Sequence, residues 1–333
     1  MSLLGLQYFL VAAEELNFTA ASKRLYITQQ TLSAHILRLE KEYGIALFNR
    51  KPRLSLTPEG ERMVKYATRI VRLERIMSAE FADLDQNARG VLSLGISRMR
   101  AKAFFHEIWS TYRKQFPNIE IHLREGNSDA LETLVERHIV DMCIGIDLQP
   151  GKGLCRVNLF TEGIFIAIPK ALFHAYYQSK SSEMIRSFSQ GARFPQLPDL
   201  PLLLLSPVNR IRRIVDNRFD EIDTVVRPAF ESNDLELLLN MCEHGAGQAF
   251  VPASSLFYSG SRGSWMDQIY AFPIQDANIQ TILEYSSDLD LPHYAQQFVA
   301  SCQRVFLQAN KEIERKANNY LTFLQEANEH GCF

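Results

Sequence analysis

The sequence predicts a chain in three parts: a small all-α module at the N-terminus built as a winged helix-turn-helix, one long linker helix, and a larger α/β region. Three observations carry that prediction. Residues 18–60, FTAASKRLYITQQTLSAHILRLEKEYGIALFNRKPRLSLTPEG, hold two short helical patterns, a turn and a basic hairpin. Between Pro58 and Pro117 no proline intervenes, and helix-forming residues run to about Gln86. Beyond residue 90 apolar runs alternate with helical patterns, as in a sheet covered by helices.

Bulk properties narrow the classes. At 333 residues the chain is long enough for two or three domains with their own cores. Its hydrophobic content of 46% and charged content of 22% are ordinary for a globular protein. No apolar run approaches the roughly 20 residues of a membrane span. The opening MSLLGLQYFLVAAEELNF lacks a basic start and is interrupted by Glu14 and Glu15, so it reads as an amphipathic helix rather than a leader. The five cysteines (Cys143, Cys155, Cys242, Cys302 and Cys332) are odd in number and never form a CxxC pair. That argues against a disulfide framework or zinc site and fits a reducing cytoplasm. Cys143 and Cys242 read as core thiols, with a redox-sensing pair as the alternative.

Charge is unevenly placed. The first 75 residues carry 12 Lys and Arg against 7 Asp and Glu, whereas the remainder carries 24 against 31. A basic N-terminal quarter points to a polyanionic partner. Within it, Leu3, Leu6, Phe9, Leu10 and Ala13 recur at helical spacing. Asn17 or Thr19 can cap the next helix, whose apolar side holds Ala20, Ala21 and Leu25. After Tyr26-Ile27, Thr28 caps a third helix that buries Leu32, Ile36 and Leu39 and stops at Gly44. Its first turn exposes Gln29, Gln30, Thr31 and Ser33, hydrogen-bonding groups that helix formation does not require.

In a helix-turn-helix, such residues meet base edges in the major groove. Gln bonds adenine in bidentate fashion, and Ser and Thr serve base edges or phosphates. His35 and Arg38 lie further along the same helix. LFNRKPRLSLTPEG follows as two short strands around Lys51-Pro52, a wing carrying Arg50, Lys51 and Arg53 for phosphates. A three-helix protein-contact module with a solvated basic loop is the alternative.

The segments FLVAAEELNFTAASKRLYITQQTLSAHILRLEKEYGIALFNR and LSLTPEG resemble the winged helix-turn-helix of LysR-type transcriptional regulators. Where that family usually has Gln-Pro, and often a basic residue after the Ser, this chain has Gln29-Gln30 and Ser33-Ala34-His35. These departures fall on the base-reading face and bear on which operator is recognised. The resemblance implies double-stranded DNA as partner. The DNA-binding domain is expected over residues 1–58.

Thr57-Pro58 starts the linker helix, expected over 59–87 and spanning roughly 43 Å. Met63, Ile70, Met77 and Leu84 fall seven apart, with Tyr66 and Leu73 between them. Ala67 and Phe81 flank this seam, which Glu74 interrupts. A seven-residue repeat suits a partner helix, or the seam packs only on its own chain. Arg62, Lys65, Arg69, Arg72 and Arg75 read as solvated. The resemblance implies a homodimer through this helix, a homotetramer beyond it, and RNA polymerase as a further candidate partner.

DQNARG, Asp85 to Gly90, reads as a hinge. VLSLGIS, IEIHLREG and VDMCIGID are strands separated by helices, and GIFIAIPK and LPLLLLSP add buried strands. The run from Thr224 to Ser254 reads as strand, helix and short strand; IYAFPI and QTILEYSS return as strands, and a helical tail begins at Pro292. This region resembles the family's two-lobed regulatory domain, similar to type 2 periplasmic binding proteins. That likeness implies an effector-binding domain over 88–312, with lobe I at about 91–163 and 268–310, lobe II at about 164–267, and a helical extension over 313–333.

In such folds ligands sit beyond the carboxyl ends of strands, at helix N-termini. Counting from strand ends gives Ser97, Arg98 and Arg100, then Asn127 and Ser128, then Ser206, Asn209 and Arg210, and finally Ser232 and Asn233. This set suits a small, anionic effector, while each Ser or Asn could equally be a plain helix cap. No catalytic or dinucleotide fingerprint occurs, the histidines show no metal spacing, and no cofactor is expected. The chain therefore reads as a cytoplasmic DNA-binding regulator and not an enzyme. The alternative is a two-lobed binding protein or enzyme with an accessory helix-turn-helix.

Overall fold

In the computed structural model, helix α1 (Leu3–Glu15) begins where the Ser2 hydroxyl accepts the Gly5 N–H at 3.1 Å, and it turns Leu6, Phe9 and Ala12 inward. The structure describes residues 2–51, 53–83, 89–258, 265–287 and 291–329. Of the two candidate caps for α2 (Phe18–Arg24), Asn17 is the one used, accepting from the N–H groups of Thr19 and Ala20. Tyr26 takes a left-handed φ of 55° to turn the chain into α3 (Gln29–Tyr43), which buries Leu32, Ile36 and Leu39. Gly44 ends that helix with a left-handed φ of 67°.

Strands β1 (Phe48–Asn49) and β2 (Ser55–Leu56) pair antiparallel as the wing; Pro52 lies outside the described residues. The joint into α4 (Pro58–Asp83) is tight. The Thr57 hydroxyl donates to the Ala46 carbonyl at 2.7 Å and accepts the Gly60 N–H at 2.9 Å. A Cβ at position 60 would sit 2.1 Å from the Leu47 carbonyl oxygen, so the close approach requires glycine.

Helix α4 has two apolar faces. Ala67 and Val71 complete the N-terminal core, and Ile76 is buried further along. Arg72, expected to be solvated, is instead 6% exposed: its Nε lies 3.3 Å from Asp141 and Nη1 lies 3.4 Å from His138 Nδ1. Asp141 also accepts the Ser93 N–H at 2.8 Å, and burial raises its pKa. The linker is thus docked on the α/β region of its own chain. On the opposite face, Tyr66, Ile70, Leu73, Met77 and Phe81 are exposed. Met63 and Ala67 turn from that seam toward the N-terminal core. Leu84 and residues 85–88 of the expected hinge lie outside the described residues.

The α/β region opens with β3 (Gly90–Ile96), α5 (Arg98–Gln115), β4 (Ile119–Glu125), α6 (Ser128–Glu136) and β5 (Met142–Ile146), in the predicted alternation. Strand β6 (Leu154–Pro169) starts before the run GIFIAIPK, because its first half pairs with the returning strand. Helices α7 (Lys170–Tyr177) and α8 (Ser181–Ser189) follow, unplaced in the sequence reading. Then come β7 (Leu202–Leu205), α9 (Arg210–Asp220), β8 (Pro228–Ser232), α10 (Leu235–Glu243), β9 (Gln248–Pro252) and α11 (Ala253–Phe257). The chain closes with α12 (Trp265–Gln268), β10 (Ile269–Ser286) and α13 (His293–Glu329).

The sheet order is β4-β3-β5-β10-β6-β9-β7-β8. Its flanks are parallel, as expected from the alternation, but β6 and β10 at the centre are antiparallel to each other and to their outer neighbours, so the sheet is mixed. These two strands run through both lobes: residues 269–273 pair with 165–169, and residues 278–286 pair within 154–163. A register shift in this pairing falls between Pro273 and Asn278. IYAFPI and QTILEYSS are accordingly two parts of one strand.

Candidate functional sites on the helix-turn-helix face and in the inter-lobe cleft

Thr28 is extended, and its hydroxyl accepts the Thr31 N–H at 3.1 Å while also meeting the Thr31 hydroxyl at 2.9 Å. Behind that cap Gln29, Gln30 and Thr31 are exposed, as is Arg38, whereas Ser33 is half-buried. The Thr19 hydroxyl donates to Gln29 Oε1 at 3.2 Å, so α2 helps aim the amide at the tip of α3. His35 packs edge-on against Tyr8 with ring centroids 4.9 Å apart, which draws it toward the module's own core. On the wing, Lys51 and Arg53 are exposed, while Arg50 is tied to Glu40 at 3.2 Å. Glu40 in turn accepts the Leu47 N–H at 2.9 Å, so this pair anchors the wing as well as presenting a cation. Sequence reasoning missed Thr19 as a partner of Gln29 and did not foresee that Tyr26, in the turn, is 96% exposed. An aromatic residue between two capped helices was the available signal for the latter.

Between the lobes lies a cleft of about 930 Å³. Lobe I contributes Ser97, Arg98, Asn127 and Ser128 to its wall, and lobe II contributes Asn209, Arg210 and Asn233. Several of these are engaged locally. Asn127 caps α6 and Asn209 caps α9, as the plain-cap alternative anticipates. Ser128 donates to the Ile146 carbonyl at 2.7 Å. Ser206 hydrogen-bonds Asn233, and Ser232 accepts the Asp234 N–H at 3.1 Å; neither serine forms part of the wall.

Ser97 differs. It is 9% exposed at the start of the 18-residue α5, and its hydroxyl has no hydrogen-bond partner among the described residues. An unmet buried hydroxyl beside the positive end of a helix suits an anionic or polar ligand group.

The cations of the wall are already paired. Arg98 meets Glu125 at 3.2 Å, and Lys102 meets Glu236 across the cleft at 2.6 Å, an interaction that raises the lysine's pKa. Arg210 reaches from lobe II to Asp129 at 2.5 Å and Glu132 at 2.9 Å in lobe I. Arg213 joins Asp129 as well, at 2.5 Å. The wall's carboxylates, Glu125, Asp234, Glu236 and Glu243, outnumber its three cations.

Arg100 does not belong to the cleft, contrary to expectation. It points inward, wholly buried, with Nη2 2.6 Å from Glu162 and Nη1 3.1 Å from the Ser254 hydroxyl. Glu162 also accepts the Ser254 N–H at 2.6 Å, and the guanidinium lies over the rings of Phe104 and Phe160. Position 100 falls on the helical face packed against β6, so a residue only three positions from Ser97 leaves the wall. The cluster ties α5 to β6 and α11 beside the crossover between lobes.

Burial pushes up the thiol pKa values of Cys143, Cys242 and Cys302, consistent with core thiols. No helix among the described residues is long and apolar enough to cross a membrane.

Two family models match the chain. The model described as "Bacterial regulatory helix-turn-helix protein, lysR family" matches residues 3–61, and the "LysR substrate binding domain" matches residues 85–306. Among curated relatives, the HTH-type transcriptional regulator AlsR of Bacillus subtilis is 28% identical, covering 91% of this chain and 97% of the relative. CzcR of the same organism is 26% identical, covering 85% of this chain and 90% of the relative. Among solved structures, a full-length OxyR variant from Pseudomonas aeruginosa aligns with a TM-score of 0.64 at 19% identity, over 93% of this chain and 95% of that one. Full-length CbnR complexed with its target DNA aligns with a TM-score of 0.57 at 20% identity, over 92% and 100%. These structural likenesses concern the fold.

The geometry separates two arginines that the sequence grouped together. Arg100→Ala leaves Glu162 buried without its cation and is expected to cost about 3–5 kcal/mol in chemical denaturation. Arg98→Ala, at a largely exposed pair, is expected to cost under about 1 kcal/mol. Equal losses for the two would contradict the assignment.

Proposed function

The chain belongs to the LysR family of transcriptional regulators, and from that premise we propose that it binds specific duplex DNA as a dimer under the control of a small molecule held between the lobes. The DNA reading is carried by the exposed tip of α3. Gln29, Gln30, Thr31 and Ser33 would address base edges, with Thr28, His35 and Arg38 supporting them. Arg50, Lys51 and Arg53 of the wing would neutralise phosphates. A chromosomal target puts the protein in the cytoplasm.

The exposed row Tyr66, Ile70, Leu73, Met77 and Phe81 on α4 supports pairing through the linker. Strands β4 and β8 are the two edges of the sheet, with Leu123 and Phe230 exposed on them, and offer surfaces for a further pairing toward a tetramer.

For the effector, the single observation that carries most is the hydroxyl of Ser97, which has no partner among the described residues. It favours an anionic group seated at the start of α5, with Arg98, Asn127 and Ser128 nearby. The acidic excess of the wall modifies the anionic expectation. With every wall cation already paired and Glu243 unpaired among the described residues, a ligand bearing both a carboxylate and a protonated amine fits better than a simple anion. Such a ligand acts only through unequal affinity for the arrangements of the lobes. Arg210 and Lys102, which bridge the lobes, are the groups whose partners it would exchange.

Three experiments test this reading. Fluorescence anisotropy with promoter DNA should show affinity falling steeply as salt rises. Gln29→Ala should lose about 1–3 kcal/mol on specific DNA with little change on random DNA, whereas equal losses on both would count against base readout. In thermal-shift assays, α-amino acids should stabilise the chain more than matched dicarboxylates, and Ser97→Ala should remove that stabilisation. A ligand near 100 times its Kd would contribute about 2.7 kcal/mol. Stabilisation by dicarboxylates alone would refute the amine-bearing class.

A further inference from the structure

The last helix crosses from one lobe to the other without a break. α13 has 37 residues, about 55 Å of helix. Its first half belongs to lobe I. The Tyr112 hydroxyl donates to the Tyr294 carbonyl at 3.0 Å, and Phe298 meets the ring of Tyr112 with centroids 5.2 Å apart. Phe306 packs on Phe104 and Phe160 at 4.6 and 5.4 Å. The family model ends at residue 306, yet the helix continues.

Beyond that point the partners change. Ile313, Ala317, Tyr320 and Leu324, at intervals of four, three and four, are all buried. Tyr320 Oη accepts the N–H of Ala271 at 2.9 Å, and its ring meets Trp265 and Phe257 with centroids 5.0 and 5.7 Å apart. Asn328 donates to the Ser182 carbonyl of α8 at 2.8 Å. Ala271 lies in the part of β10 that pairs with residues 165–169, and α8 belongs to lobe II. The second half of α13 therefore packs on lobe II and on the segment joining the lobes.

We propose that residues 307–329 form a brace that limits how far the two lobes can rotate apart. Strands β6 and β10 cross between the lobes as extended backbone, which bends readily at the register shift near Pro273. A continuous helix does not bend so easily without a break in its hydrogen-bond ladder. Opening the cleft then requires the helix to slide out of one of its two apolar beds, exposing Leu324 and Tyr320 or Phe298 and Phe306. Packed interfaces of this kind shift between discrete arrangements, so the brace holds the cleft near one of them. The inference concerns the hinge itself and stands whichever effector, or none, fills the cleft.

Helices α5 and α9 both begin at the cleft wall, so their far ends report its opening. The test places spin labels at Lys114→Cys and Asp220→Cys, both exposed, in the full chain with Cys155 and Cys332 replaced by Ser. Leu324→Asp should shift the inter-label distances to longer values. The milder Leu324→Ala with Tyr320→Phe should do so to a lesser extent, and it decides the matter if the charged variant does not fold. Phe323→Asp, on the exposed face of the same helix, should leave the distances unchanged. Faster amide exchange over residues 313–329 without any change in distance would overturn the brace. An equal shift in the Phe323→Asp control would overturn it too.

Discussion

Helix α4 must satisfy two apolar demands and one electrostatic one, and the rest of the molecule is arranged around that constraint. One face, through Ala67 and Val71, closes the core of the helix-turn-helix. The same face carries Arg72 into contact with Asp141 and His138, which fixes the linker on lobe I. An exposed pair, Arg124 of β4 with Glu14 of α1 at 3.2 Å, also runs between the N-terminal module and the sheet. The opposite face keeps five large apolar side chains in water. A chain that invests a helix this way presents its recognition tip on a rigid mount, and leaves a seam that only another surface can cover.

Buried charge is used sparingly, at points where elements meet. Arg72 with Asp141 joins the linker to lobe I, and Arg100 with Glu162 and Ser254 joins α5 to the crossover strands. Such pairs add less to stability than their Coulomb energy suggests, because both partners lose water. Their value lies in the cost of any arrangement that separates them. The pairs across the cleft are of another kind: Lys102 with Glu236 is exposed, and Arg210 and Arg213 share Asp129 at its rim. Lys102 and Glu236, both exposed, can exchange partners at little cost.

The order of elements was legible wherever local chemistry decided it. Caps, proline and glycine positions and apolar periodicity located α1 to α4, and alternating apolar runs located β3, β4, β5 and β7. What escaped was set by distant partners. The first half of β6 is half-polar and becomes a strand because β10 lies beside it. Arg72 looked like one of several solvated arginines, and only the position of Asp141, far along the chain, buries it. In the cleft, counting from strand ends found seven wall residues, because helix N-termini must lie there. The same count could not separate Ser97, whose hydroxyl is unmet, from Arg100, which faces the opposite way. Nor could it show that Lys102 and Arg210 are paired with acids of the other lobe.

Sedimentation velocity of the full chain carrying Ile70→Asp tests most directly whether the exposed face of α4 is what brings two recognition helices together. Ile70 sits mid-helix on the uncovered row, so a carboxylate there leaves the buried face and the Arg72 anchor untouched. The account predicts that the native chain sediments as a dimer or larger assembly, and that the variant sediments as a folded monomer. An unchanged assembly in the variant would show that the seam is not the contact between subunits.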